Sequence, residues 1–180
     1  MIIQIRPKGF TIVELLVVIV VIAILAAISI VAYNGIQQRG RDSQRQSDVK
    51  TIAKALELYY IDNGRYPPGN GSTTINAGWS TTADASWANL RSILVPKYIS
   101  DLPSDPISTP NVSVQGSGYN YAYFADQGGY YCSTNPAQMY ILIYRFEGQP
   151  KTDTFIGNCA NTGPPYNLSY GSPSNYRVVK

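Results

Sequence analysis

The segment KGFTIVE at residues 8–14, continued by LLVVIVVIAILAAISIVAY at residues 15–33, decides the fold of this chain. The 19 residues of the second part carry no charge, and Ser29 is their only clearly polar member. With a rise of about 1.5 Å per residue, such a helix comes close to spanning a hydrocarbon core of about 30 Å. Val and Ile favour strand in water, but a lone strand in lipid would leave its backbone groups unpaired. The segment therefore predicts a transmembrane helix.

The charges beside this helix predict its orientation. Arg6 and Lys8 precede it, and no acidic residue does. Basic residues stay on the cytoplasmic side of a membrane, so this asymmetry favours a cytoplasmic N-terminus and a body outside the cytoplasm.

Glu14 is the residue that does not fit a plain anchor, because an ionised side chain in hydrocarbon costs a few kcal/mol. Two interpretations are open. The carboxylate lies at the membrane interface and stays hydrated, or it has a positive partner, most simply an amine created beside it.

The stretch from Lys8 to Leu16 resembles the leader junction of type IV pilins and type II secretion pseudopilins. In that family a membrane peptidase cleaves after the glycine that matches Gly9 and N-methylates the new first residue, here Phe10. The fifth residue of the mature family members is a glutamate, which falls on Glu14. The resemblance implies that this carboxylate pairs with the N-terminal amine of a neighbouring subunit during assembly.

Two further stretches are similar to the same family: DNGRYP at residues 62–67, and the PKYI, LP and DP elements within residues 96–106. Most relatives have a proline at the position of Val31, and this chain does not. Any local melting of the helix on assembly would then depend on Gly35 and Gly40. A secretory signal peptide is the competing interpretation. It fails because the small residues of its cleavage site would follow the apolar run, whereas Ala26-Ala27 lies in its middle.

Composition narrows the function. The formal charge of +3 falls to +1 when Arg6 and Lys8 leave with the leader, which argues against a strongly electrostatic partner such as duplex DNA. Low charge and 15 tyrosines suit an exported surface that packs on copies of itself. Arg39, Arg41 and Arg45 are either a nucleic-acid patch or a solvated face or headgroup contact. DNA is thus a possible but unsupported partner.

The chain has no histidine. This excludes His-dependent catalysis and His-containing metal sites. We predict no catalytic residue, no metal site, no cofactor and no enzyme activity. Asp126 or Asp153 could contribute to a calcium loop of the kind found in some pseudopilins, but solvated loop acids are the simpler interpretation. Outside the cytoplasm Cys132 and Cys159 predict a disulfide, with two unpaired core cysteines as the alternative.

Apolar periodicity predicts the rest of the fold. Residues 49–60 repeat at helical spacing, and Asp62-Asn63-Gly64 ends the helix. Residues 69–83 predict a loop, and Asp84 is expected to cap a short helix over residues 85–94. Strands are expected at four places: residues 119–124, 130–132, 139–146 and 152–156. The fold class is α+β, a long N-terminal helix packed by its second half on a small antiparallel sheet, which the resemblance identifies as a pilin fold.

The predicted organisation has four parts: leader peptide 1–9, transmembrane and assembly helix 10–33, amphipathic continuation 34–62, and globular head with a C-terminal disulfide loop 63–180. The expected function is a structural subunit of a type IV pilus or similar filament. A type II secretion pseudopilin or DNA-uptake filament is the alternative, and a single-pass sensor or binding protein a more remote one.

The resemblance also implies the partners and the location. The expected partners are copies of the chain in a helical filament, the prepilin peptidase, the inner-membrane platform of a pilus or secretion system, and membrane lipid before assembly. The expected location is the inner membrane with the head outside the cytoplasm, and a cell-surface pilus after assembly.

Overall fold

One helix dominates the chain. The computed structural model describes residues 9, 11–113, 117–125, 127 and 138–148, with only the backbone of residues 31 and 32. Within it, helix α1 runs from Ile12 to Asn63, 52 residues. It ends where predicted, because Gly64 takes the left-handed conformation (φ 68°) and its N–H donates to the carbonyl of Tyr60 at 2.8 Å.

The chain divides into two units, residues 1–38 and 39–180. In the first unit, the described large apolar side chains of α1 are all exposed, by 48% to 84%. The hydroxyl of Ser29 donates to the carbonyl of Leu25 at 2.8 Å, so its polar atom is satisfied inside the helix. This part of α1 is long and apolar enough to cross a membrane.

The second unit contains a three-stranded antiparallel sheet and a short helix. Strand β1 covers Trp79–Thr81, helix α2 Trp87–Leu94, strand β2 Ala122–Ala125 and strand β3 Tyr140–Ile143. The strand order is β1-β2-β3, with Trp79 opposite Phe124 and Ile141 opposite Phe124 on its other side. The predicted α+β class with a small antiparallel sheet is confirmed.

The second half of α1 packs into the same core as the sheet. Its buried residues lie three and four positions apart, as the apolar periodicity predicts, and they meet a set of aromatic side chains. Tyr66 contacts Tyr60 and Tyr140, with both centroid distances at 4.7 Å. The buried hydroxyl of Tyr123 donates to the carbonyl of Pro67 at 2.7 Å. The main core side chains are Val49, Ile52, Leu56, Tyr66, Trp87, Leu90, Leu94, Leu102, Tyr121, Tyr123, Tyr140, Leu142, Tyr144 and Phe146.

Two local predictions are wrong. Strand β1 lies in the stretch predicted as a loop. Its three residues, Trp79–Thr81, stand in a sequence rich in Ser, Thr and Asn that shows no strand pattern, and they form a strand only because β2 pairs with them. Asp84 does not cap α2, which begins at Trp87 after Ser86. Instead its Oδ2 accepts hydrogen bonds from the Ser72 hydroxyl and the Thr74 N–H, at 2.8 and 2.9 Å. Asp84 therefore holds the loop before the helix.

These bonds perturb the Asp84 carboxyl. Burial raises its pKa, but the hydrogen bonds from Ser86, Thr74 and Ser72 outweigh burial and lower the pKa far below its usual range. The predicted strands at residues 130–132 and 152–156 lie outside the described residues.

Candidate assembly site and the arginine cluster

The start of α1 carries a reciprocal pair of contacts between Thr11 and Glu14. The backbone N–H and the hydroxyl of Thr11 each donate to Oε2 of Glu14, both at 2.8 Å. The N–H of Glu14 donates to Oγ1 of Thr11 at 3.2 Å. This is a capping box, in which Thr and Glu three positions apart satisfy donors at a helix N-terminus. Sequence reasoning missed Thr11, although Thr-x-x-Glu before an apolar run is the signal for this motif.

Glu14 retains room for a further partner. In the part of the chain that the structure describes it forms no ion pair, and its Oε1 accepts no hydrogen bond. The N-terminal end of a helix favours a negative charge, but a carboxylate at membrane depth is stabilised far more by a cation. The geometry leaves one carboxylate oxygen available for a positive group from outside the described chain.

The two residues at the expected cleavage point are placed differently. Gly9 is exposed, and a Cβ added to it would meet no atom within 4 Å. Phe10 lies outside the described residues. Cleavage after Gly9 and methylation of Phe10 stay predictions.

A second group of charged residues lies in the other unit, where side chains of α1 meet Asp105 in the connection between α2 and β2 and Glu147 after β3. Arg45 donates through Nε and Nη2 to the two oxygens of Asp105, at 2.7 and 2.9 Å. Its Nη1 donates to Asp42 at 2.8 Å and to Glu147 at 2.7 Å. Arg41 donates to both oxygens of Glu147, at 2.6 and 2.5 Å. We call these five residues the arginine cluster.

Burial and charge balance decide the ionisation of this cluster. The side chains of Arg45 and Asp105 are fully buried. Burial lowers the pKa of Arg45, but hydrogen bonds to Asp105 and Glu147 outweigh it and raise that pKa above its usual value. Burial raises the pKa of Glu147, and the hydrogen bonds from the two arginines outweigh it and lower that pKa. The shifts of Arg45 and Glu147 both favour their charged forms, so each of these two groups supports the ionisation of the other.

The arginine cluster corrects the two interpretations offered for the polar arginines of α1. Arg41 and Arg45 are not a free basic patch, because Glu147 and Asp105 bind them; the Arg45 side chain is fully buried and that of Arg41 is 30% exposed. Of these three arginines of α1, Arg39 alone is exposed and without an ion pair among the described residues. The three arginines therefore do not form one exposed basic surface.

The other described carboxylates of this unit are also engaged. Tyr121 donates to Asp48 at 2.9 Å, and Tyr66 donates to Glu57 at 2.8 Å. Burial and these carboxylates raise the pKa of both phenols well above the usual value. Among the residues that the structure describes, no three His, Cys, Asp or Glu side chains form a metal-binding group. The expected disulfide of Cys132 and Cys159, and the acids Asp126 and Asp153, lie outside the described residues.

Comparison with known proteins matches two successive parts of the chain to two family models. The family model of the prokaryotic N-terminal methylation motif matches residues 6–30, and that of the type II secretion system protein G matches residues 33–130. No solved structure matches significantly.

Two similar proteins that carry the name type II secretion system core protein G match over most of their length, and a fimbrial protein matches over about half. The type II secretion system core protein G of Pseudomonas aeruginosa is 37% identical over 87% of this chain and 97% of its own. That of Pectobacterium carotovorum is 32% identical over 85% of each. A fimbrial protein of Neisseria meningitidis is 32% identical over 49% of each chain. None of these names is that of an enzyme. The methylation motif and the apolar helix together identify a membrane-anchored, single-pass protein.

Proposed function

The chain belongs to the type II secretion system protein G family, and from this premise we propose that it is a pseudopilin, the structural subunit of a secretion filament. The observation that carries the proposal is the protein G match over residues 33–130, joined to a methylation motif on a helix whose apolar side chains are exposed. No enzymatic step by this chain is part of the proposal.

This proposal favours the alternative expected from the sequence over the type IV pilus subunit that was expected first. The fimbrial match covers about half of each chain, whereas the Pseudomonas protein G match covers nearly all of its relative. A type IV pilus remains the second candidate because of that fimbrial similarity. A plain single-pass anchor is third, since it leaves the methylation motif unexplained.

Maturation is the first step of the proposed mechanism. A prepilin peptidase cleaves after Gly9 and N-methylates Phe10, which removes residues 1–9 with Arg6 and Lys8. Support comes from the methylation-motif match over this junction and from the exposure of Gly9. Cleavage creates an amine four residues before Glu14, at the start of the capping box.

Polymerisation is the second step. Before assembly, lipid covers the apolar side chains of the assembly helix 10–33; in the filament, neighbouring helices cover them. Between packed helices the charge of Glu14 is destabilising unless a cation meets it. The cation proposed is the Phe10 amine of a neighbouring copy. Thr11 donates only to Oε2 of Glu14, and Oε1 accepts no hydrogen bond from the described residues, which supports this proposal.

The remaining parts of the proposal concern placement. Residues 34–62 continue the helix, and residues 63–180 form the head. The basic leader supports an inner-membrane anchor with the head outside the cytoplasm. The proposed partners are copies of the chain, the peptidase and the inner-membrane platform of a secretion system. DNA has no support from the charges of the described residues.

Mass spectrometry of the N-terminal peptide tests the function. The full chain is produced with its own peptidase and secretion system, and peptides are compared in membranes, in assembled material pelleted after mild detergent extraction, and in the sheared surface fraction. The expected result is a chain that begins at N-methylated Phe10 in both membranes and pellet. A Gly9→Val variant keeps the leader, whereas the control Gly35→Ala, on an open helix position, is processed normally.

The outcomes separate the three candidates. A mature peptide abundant in sheared surface fibres supports the type IV pilus. An intact leader in every fraction of the parent chain leaves only the membrane anchor and overturns the proposal. Normal processing of Gly9→Val contradicts the cleavage site.

A further inference from the structure

We draw no further inference here: the strongest candidate, the contact where Asp42 of α1 accepts the N–H groups of Glu147 and Gly148 after β3 at 2.9 and 3.0 Å, belongs to the arginine cluster already described, and the chain that follows Gly148 lies outside the described residues.

Discussion

The two charged sites of this molecule differ in where their partners come from. In the arginine cluster, Arg45 has three carboxylate partners within its own unit, and the contacts lie between 2.7 and 2.9 Å. At the start of α1, Glu14 has hydrogen bonds from Thr11 and no cation among the described residues. One site is electrostatically complete within a single copy, and the other is not.

This difference coincides with the difference in apolar burial. In the second unit the apolar side chains of α1 and the sheet form a buried core, whereas the described large apolar side chains of the first unit are all exposed in the single chain. The second unit thus pairs the charges of its arginine cluster internally, whereas the first unit leaves Glu14 without a cation among the described residues and its described apolar side chains exposed. Other copies of the chain can supply both the missing cation and the missing apolar contacts. Substitutions at either site test this difference.

The largest effect is expected at Glu14. Glu14→Gln keeps an oxygen that can accept from Thr11, so it preserves the capping box but removes the charge. Glu14→Ala removes both. If the missing partner is a cation, both variants lose filament assembly almost completely, while insertion and cleavage continue. The measurement is the ratio of pelleted to membrane-bound mature chain.

These two variants distinguish charge from helix capping. Near-normal assembly of Glu14→Gln, with loss only in Glu14→Ala, would mean that the cap and not the charge matters. Glu14 would then need no cation from another copy, and in this respect it would resemble the residues of the arginine cluster.

The second effect is expected at Arg45. Arg45→Met leaves Asp105 as a buried charge without its cation, and breaking a buried pair in this way costs about 3–5 kcal/mol of unfolding free energy. The matched control is Arg39→Met on the exposed side of the same helix, expected to change it by less than about 0.5 kcal/mol. Unfolding of the detergent-solubilised full chain by urea, followed by tyrosine circular dichroism, measures both.

A partner variant sharpens the Arg45 prediction. Adding Asp105→Asn to Arg45→Met removes the orphan charge and is expected to recover part of the lost stability. A loss as small for Arg45→Met as for Arg39→Met would show that the cluster does not hold the head together.

The sequence predicts the first site better than the second, for a physical reason. The apolar run, Glu14 and the end of α1 at Gly64 are local patterns, and residues a few positions apart reveal them. The capping role of Thr11 was equally local and was missed only because Glu14 was interpreted through its charge.

The arginine cluster has no such local signal. Arg45 lies 60 positions from Asp105 and 102 positions from Glu147, so its sequence neighbourhood shows only a polar stretch of helix. Strand β1 was missed for the same reason, since Trp79–Thr81 becomes a strand only by pairing with residues more than 40 positions later. The tail that carries Cys159 lies outside the described residues, and its disulfide stays a prediction.

The smallest effect is expected from acid. The pKa of Glu147 in the folded head is below its ordinary value of 4.5, because Arg41 and Arg45 donate to it. Between these two values the unfolded chain binds a proton that the folded chain does not. The contribution of Glu147 to stability is therefore complete above about pH 5 and is lost as pH falls through the folded pKa.

Glu147→Gln isolates this contribution. The variant is less stable at pH 7, because two arginines lose a charged acceptor. Below pH 4.5 its unfolding free energy falls less steeply with pH than that of the parent chain, and the difference in slope corresponds to at most one proton per molecule. Above pH 5.5 the two pH profiles run parallel, which serves as the internal control. Equal slopes below pH 4.5 would mean that folding does not depend on the charge of Glu147. The ion pairs of Glu147 with Arg41 and Arg45 would then not stabilise the fold. The arginine cluster would no longer differ from Glu14 in being stabilised by charges of the same copy.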